Sequence, residues 1–292
     1  MNLLDMVSLT RLMQRCNGTP EVVIALIDGP VMSDHPDLAG QNIRLLGHAG
    51  GDGCSLASSA ACRHGTFVAG MLIGRRGSAA LAISPSCTLL SRPIFGETGP
   101  AEPASATPEA LAQAIVDCVD AGARLINLSL ALSPSSLNAQ RRLHDALDHA
   151  ANRGALIIAA AGNQGMVGSS VLTGHPWTIP VAACNASGRP TSDTNLGHSL
   201  ARRGLSAPGE GVPGLGTEGS PRRVSGTSLA APFVTGTAAL LWSLFPMSSA
   251  AQIRHGLLDA DRLRPRSLVP PLLDAWAAFE ALGRRLAKPQ AA

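Results

Sequence analysis

The run "EVVIALID" (21–28) constrains this chain more than any other stretch. It is continuously apolar, rich in β-branched residues and closed by an aspartate, the pattern of a strand covered on both faces. Such a strand has no face to give to water, so helices must pack on either side of its sheet. "CTLLSRPIF" (87–95), "RLINLSL" (124–130), "ALIIAAA" (155–161) and "TIPVAAC" (178–184) have the same character. Between and after them, apolar residues fall at helical spacing over 64–74, 107–122, 138–152, 228–244 and 249–258. Thr107 as cap, Pro108 in the first turn, Glu109 behind it and Gly122 at the stop punctuate one of these segments. Strands alternating with helices of this length imply a parallel sheet built from right-handed crossovers. The expected fold is α/β: a single three-layer domain, its mostly parallel sheet flanked by helices.

At 292 residues and 45% hydrophobic, the chain can bury one large core, and neither a linker nor an internal repeat divides it. Residues 1–20, with Leu3, Leu4, Val7 and Leu12 near helical spacing, are expected to form an amphipathic segment laid on the domain. The domain proper is expected over 21–283, with a disordered tail over 284–292. The net charge of +3 is dispersed, Lys288 is the only lysine and aromatics are 3%, which argues against nucleic-acid binding. No apolar run reaches the ~18 residues of a membrane span, so no membrane partner is expected. Asp5 and Arg11 interrupt the apolar start, unlike a signal peptide, which leads to the expectation of a cytoplasmic protein. The six cysteines show no C-x-x-C spacing, so no zinc site is expected. Cys87, Cys118 and Cys184 lie in apolar contexts and read as buried thiols. Cys54 and Cys62 flank one small-residue loop and could pair under oxidising conditions; in a cytosol, free thiols are expected.

Ligands of open parallel sheets collect beyond the C-terminal strand ends. Four polar residues belong on that rim: Asp28 closing the first strand, His64 opening a helix, Asn163 after "LIIAAAG", and Ser228 opening an apolar helix. One such serine is easily a helix cap. Four placements together match a chemical requirement. A serine hydroxyl needs a base within reach, which His64 can supply, and Asp28 can fix the tautomer of that base. The Asn163 amide and the Ser228 backbone N–H, at a helix N-terminus, can hold a developing oxyanion.

With "ALIDGPV", "HPDL", "HGTFVAG", "NLSLA", "AAAGNQG" and "SGTSLAAPFVTG" in this order, the chain resembles the subtilisin-type serine proteases. The motifs run from about residue 21 to 283. Gly29 and Pro30 after the aspartate, where many relatives have Ser or Thr, resemble the cyanobactin maturation proteases, which trim ribosomally made precursor peptides. The resemblance implies an endopeptidase with Asp28, His64 and Ser228 as triad and Asn163 as oxyanion donor, needing no cofactor. It also implies an extended peptide or protein substrate lying along Ser129, Leu130 and Ala131, with Ala160, Ala161 and Gly162 as the opposite wall of the first specificity pocket. The pocket floor is expected within 166–175. Phe67 stands where the commonest motif has histidine and reads as a packing change.

Asp37 matches a calcium ligand of secreted relatives, but "GRRGSAA" (74–80) brings two arginines to the partner loop, so no metal is expected. His175 reads as structural, and His35, His48, His144, His149, His198 and His255 as surface or packing residues. Two alternatives to hydrolysis remain: a macrocyclase of the same family, and a peptide-binding pseudoenzyme. Cyclising relatives carry a helical lid between Asp and His, whereas "AGGDGCSLASSAAC" (49–62) has too many glycines and too little apolar surface for one.

Overall fold

The protein is described by a computed structural model covering residues 2–47, 53–97, 105–132, 136–258 and 267–287. Seven strands form one all-parallel sheet, in the spatial order Ile43–Leu45, Thr88–Pro93, Val23–Asp28, Leu125–Leu128, Leu156–Ala160, Thr178–Cys184 and Leu205–Pro208. The chain order reverses at the central Val23–Asp28 strand, between its neighbours Thr88–Pro93 and Leu125–Leu128. That reversal opens a crevice at the strand ends, and Asp28 and Ser129 flank it.

Alternate residues of the central strand serve different layers. Ile24 and Leu26 join a core with the helices Ala60–Ile73 and Thr227–Leu244, while Ala25 and Ile27 join one with Pro108–Asp120 and Leu137–Asn152. This is the expected three-layer α/β arrangement. Two short helices, Leu3–Met6 and Leu9–Arg15, precede the sheet. The second buries Leu9, Leu12 and Met13 against the Thr227–Leu244 and Ala275–Leu286 helices, and Arg11 stacks 3.9 Å over the Trp276 ring. Ala275–Leu286 takes in Arg284, Arg285 and Leu286, so these three close a helix rather than begin a tail; residues 288–292 lie outside the described ones.

The Thr227–Leu244 helix is long and apolar enough by composition to cross a membrane, against the sequence expectation, but 83% of it is buried within the protein. It is buried nearly all round because it packs against four strands. Pro180 and Pro208 lie within parallel strands, while the sequence pattern alone missed Ile43–Leu45 and Leu205–Pro208.

Two glycines set how closely the Ala60–Ile73 helix approaches the sheet. A Cβ on Gly65 would lie 2.4 Å from the Gly29 carbonyl oxygen, and one on Gly29 would lie 2.1 Å from the Ala61 oxygen. Backbone therefore packs on backbone, and the departure to glycine after Asp28 has a steric cause. Gly65→Ala should destabilise the fold by about 1–3 kcal/mol, although alanine is the better helix former. Denaturant unfolding reads this; an unchanged or higher midpoint would show that the helix can lift without cost.

Candidate active site

The helix reaches further back than the sequence suggested. It starts at Ala60, capped by the Ser59 hydroxyl, which puts His64 in its second turn rather than at its opening. From there His64 Nδ1 lies 2.7 Å from Asp28 Oδ1. Asp28 is fully buried, and the same oxygen accepts from its neighbour's Gly29 N–H at 2.6 Å. The imidazole remains 29% exposed, open towards the crevice. Desolvation pulls the His64 pKa down, but the charge of Asp28 and the hydrogen bond to it outweigh that and leave it above the ordinary imidazole value.

Ser228 is not a helix cap. Gly226, at φ +143, occupies the cap position of the Thr227–Leu244 helix, and Ser228 sits one residue inside it. A Cβ on Gly226 would come within 3.2 Å of Asn163 Nδ2 and 3.5 Å of Ser228 Oγ, so the serine and the amide face one another across a bare backbone. Asn163 Oδ1 accepts from Thr227 N at 2.8 Å and from Thr227 Oγ1 at 2.9 Å. With its oxygen held, the amide has its NH₂ group on the Gly226 side. Thr227 Oγ1 also accepts from Gly162 N at 3.1 Å, locking the Asn163 loop to the helix start. His64 and Leu229, the residue after Ser228, line one cavity. Asp28 and His64 are thus paired, Asn163 is tied to the start of the helix that bears Ser228, and the residue after Ser228 shares a cavity with His64.

Sequence reasoning missed what holds Ser228 in place. Pro232 lies inside the helix four residues on, so it offers no N–H to the Ser228 carbonyl. Ser129 Oγ donates to that carbonyl instead, at 2.8 Å. Asn127 Nδ2 donates to Ser129 Oγ at 2.8 Å, and Thr235 Oγ1 donates to Asn127 Oδ1 at 2.7 Å. The pairing of a proline at +4 with a serine after the strand was the available signal. Ser129→Ala should cost about 1–3 kcal/mol for the carbonyl left without a donor, read as a lower melting temperature. No change would mean the carbonyl finds another partner.

Of the remaining groove residues, Ser129 turns its side chain inward, as above, and Leu130 is half-buried beside it. Ala131 and Leu132 pair in parallel with Ser105 and Ala106, so one edge of Ala131 is already taken by the chain itself. Ala160 and Ala161 are buried, and Gly162 adopts φ +104. Asn195, also missed, shapes that wall: its Oδ1 accepts from Gln164 N and Met166 N, and its Nδ2 donates to Ala161 O. Within 166–175, a capping box at Ser170 starts the short Val171–Gly174 helix.

The Cys54–Cys62 expectation needs correcting: the two are joined by a disulfide, with Cα atoms 5.5 Å apart. Gly53 bridges to Val31, and Cys54 N donates to Val31 O, which carries Cys54 onto the first turn of the His64 helix. Compartment reasoning had favoured free thiols; local geometry decided otherwise. Glu97 anchors the same loop, accepting from the Ser55 and Leu56 N–H groups and the Ser55 hydroxyl. Residues 53–59 form bends and turns here, and 49–52 of the expected lid-free stretch lie outside the described residues. Cys87, Cys118 and Cys184 are buried thiols as expected, and burial pushes Cys118 up to about 12. His175 is buried, its Nε2 3.2 Å from Asp148 and its Nδ1 accepting from Trp177 N, in keeping with a structural role.

The residues at the calcium position of secreted relatives do not fit a cation. Arg75 Nη2 lies 2.8 Å from Asp37 Oδ1, and Arg75 N donates to Asp37 O. The guanidinium of Arg76 donates to the carbonyls of Met13, Ala82 and Ile83 at 3.1–3.2 Å. Carbonyl oxygens of the kind calcium gathers are gathered here by a side-chain cation. Melting temperature should therefore be unaffected by EDTA; a sharp fall on stripping metal would overturn this account of the loop.

These features, an α/β sheet with an Asp–His pair and a helix-borne serine at its switch point, define a class of nucleophilic hydrolase scaffold. Residues 19–270 match the subtilase family, peptidase family S8, and the chain belongs to it. Subtilisin from Bacillus pumilus is 32% identical over 247 residues, covering 81% of this chain and 82% of that protein. Subtilisin amylosacchariticus, from Bacillus subtilis subsp. amylosacchariticus, is 34% identical over 247 residues, covering 81% of this chain and 59% of the relative. The chain thus spans less than two thirds of the length of several curated relatives. Among solved structures, the prenylagaramide maturation protease PagA is 28% identical with a TM-score of 0.80, covering 94% of this chain and 98% of that one. The patellamide maturation protease PatA is 30% identical with a TM-score of 0.75, covering 91% and 98%.

Proposed function

We propose that this protein is a serine endopeptidase that hydrolyses peptide bonds through an acyl-enzyme on Ser228, and that it matures a precursor peptide; its structural neighbours PagA and PatA are maturation proteases by name. The observation that supports the reading is the 2.7 Å Asp28–His64 bond, together with an Asn163 side chain tied to the start of the helix that bears Ser228.

In this reading, Ser228 Oγ attacks the carbonyl carbon of the scissile bond while its proton passes to His64 Nε2. Asp28 holds the ring by Nδ1 and stabilises the imidazolium. The oxyanion takes hydrogen bonds from Asn163 Nδ2 and the Ser228 N–H. Collapse expels the amine, which leaves with the proton from His64. Water then repeats the sequence on the ester, releasing the acid and regenerating Ser228. Residues 53–59 offer no helix to close over the acyl-enzyme, which favours water over an incoming amine and hydrolysis over cyclisation. A substrate strand along Ser129–Ala131, walled by Ala160–Gly162, extends the same reading.

A fluorophosphonate probe should label the protein at Ser228, and Ser228→Ala should lose both labelling and peptide cleavage while melting like the parent. Cleavage retained by that variant would refute the assignment and the triad with it.

His64 must be neutral to act as base. Because Asp28 raises its pKa, kcat/KM should climb with pH along a limb centred above the ordinary imidazole value. The stability contribution of the pair runs the opposite way. It is complete below the unfolded-state pKa and is lost as pH rises through the folded one. A pH–rate profile checks the sign: an acid limb at or below the ordinary value would contradict it.

A further inference from the structure

The cavity that His64 shares with Leu229 has a lining distinct from the proposed acyl groove. A space of about 190 Å³ is lined by Ala60, Arg63, His64, Phe67, Arg222, Val224 and Leu229, and by none of Ser129–Ala131 or Ala160–Gly162. Its volume is below the ~300 Å³ of a ligand pocket and suits one side chain. Phe67 forms part of its base. The ring is 2% exposed, and a Cβ on Gly214 would lie 2.5 Å from it, so the ring rests directly on the Val212–Gly214 strand. That strand pairs antiparallel with Arg222–Val224, which leads into Ser228. Replacing histidine by phenylalanine at 67 therefore leaves an apolar floor, and the charge of the cavity comes from arginine. Arg222 is exposed on its rim.

In the proposed reaction His64 hands its proton to the departing amine, so the departing segment must begin beside His64. We infer that this cavity is the leaving-group subsite, and that Arg222 selects substrates carrying an acidic residue within the first two positions beyond the scissile bond. The inference rests on the proteolytic reading of Ser228. Ala60, Val224, Leu229 and Phe67 take the aliphatic part of the departing residue, and Arg222 pairs with its carboxylate or that of the next residue. A basic residue there meets like charge.

Internally quenched peptides that differ only by Glu, Gln or Lys at the first or second position beyond the cut test this. The parent enzyme should cleave the best Glu peptide about fivefold faster in kcat/KM than its Gln counterpart, the effect of one half-shielded ion pair, and the Lys peptide slowest. Arg222→Glu should reverse the order, with Lys preferred, which a merely structural role for Arg222 would not produce. Equal, measurable rates for Glu and Lys in the parent, or an unreversed order in an Arg222→Glu protein still labelled by fluorophosphonate, would overturn the inference. Ser228→Ala binding to the same peptides, followed by fluorescence anisotropy, separates the two claims. Tighter binding of Glu than Lys peptides by a parent protein that cuts neither would uphold the subsite and refute the proteolytic reading. Equal binding with cutting intact would do the reverse.

Discussion

The approach of one helix backbone to one strand end governs this structure. Asp28 is useful only if His64 comes within hydrogen-bond distance, and His64 is carried by a helix whose Gly65 and Ala61 lie against Gly29 and Pro30. Side chains at either glycine would hold the elements apart. The disulfide at Cys62 and the Glu97 anchor then fix the same helix from its N-terminal side, so the imidazole is held by packing, covalent and polar restraints at once. Two residues before the histidine, the chain is braced at a point that sequence spacing alone leaves open.

Much of the fold was legible because burial on both faces leaves a plain record. "EVVIALID" and "ALIIAAA" have no polar alternation, and the structure places both inside the sheet. Thr107-Pro108 marked a helix start to the residue. The short strand Ile43–Leu45 was not legible because it is an edge with little buried surface, and Leu205–Pro208 because a proline closes it. At the site, the residues proposed to act through their own chemistry announced themselves in motifs: Asp28, His64, Asn163, Ser228. Thr227, Asn127, Thr235 and Asn195 did not. They act by satisfying backbone or side-chain partners far along the chain, and those partners are set by topology.

The Cys54–Cys62 pair shows how a compartment argument can mislead. The expectation of free thiols followed from a cytoplasmic assignment, itself drawn from the N-terminal pattern. The Val31–Gly53 bridge brings Cys54 to Cys62 whatever the compartment. Asp37 shows the converse. Two arginines in the partner loop already spoke against a metal ion, and the structure adds that Arg76 draws three carbonyls together where Ala82 bends into the left-handed region, φ +47.

Pro232 carries a consequence for how the site breathes. Helix ends ordinarily fray, because their hydrogen bonds are few and open one by one. Here the first turn of the Thr227–Leu244 helix has given up one of its own bonds and is tied by Ser129 to the strand end beside Asn127. Its opening is therefore coupled to the centre of the sheet, among the last parts of a protein to exchange with solvent. A serine on an ordinary helix tip would sample many positions; this one inherits the stillness of the sheet.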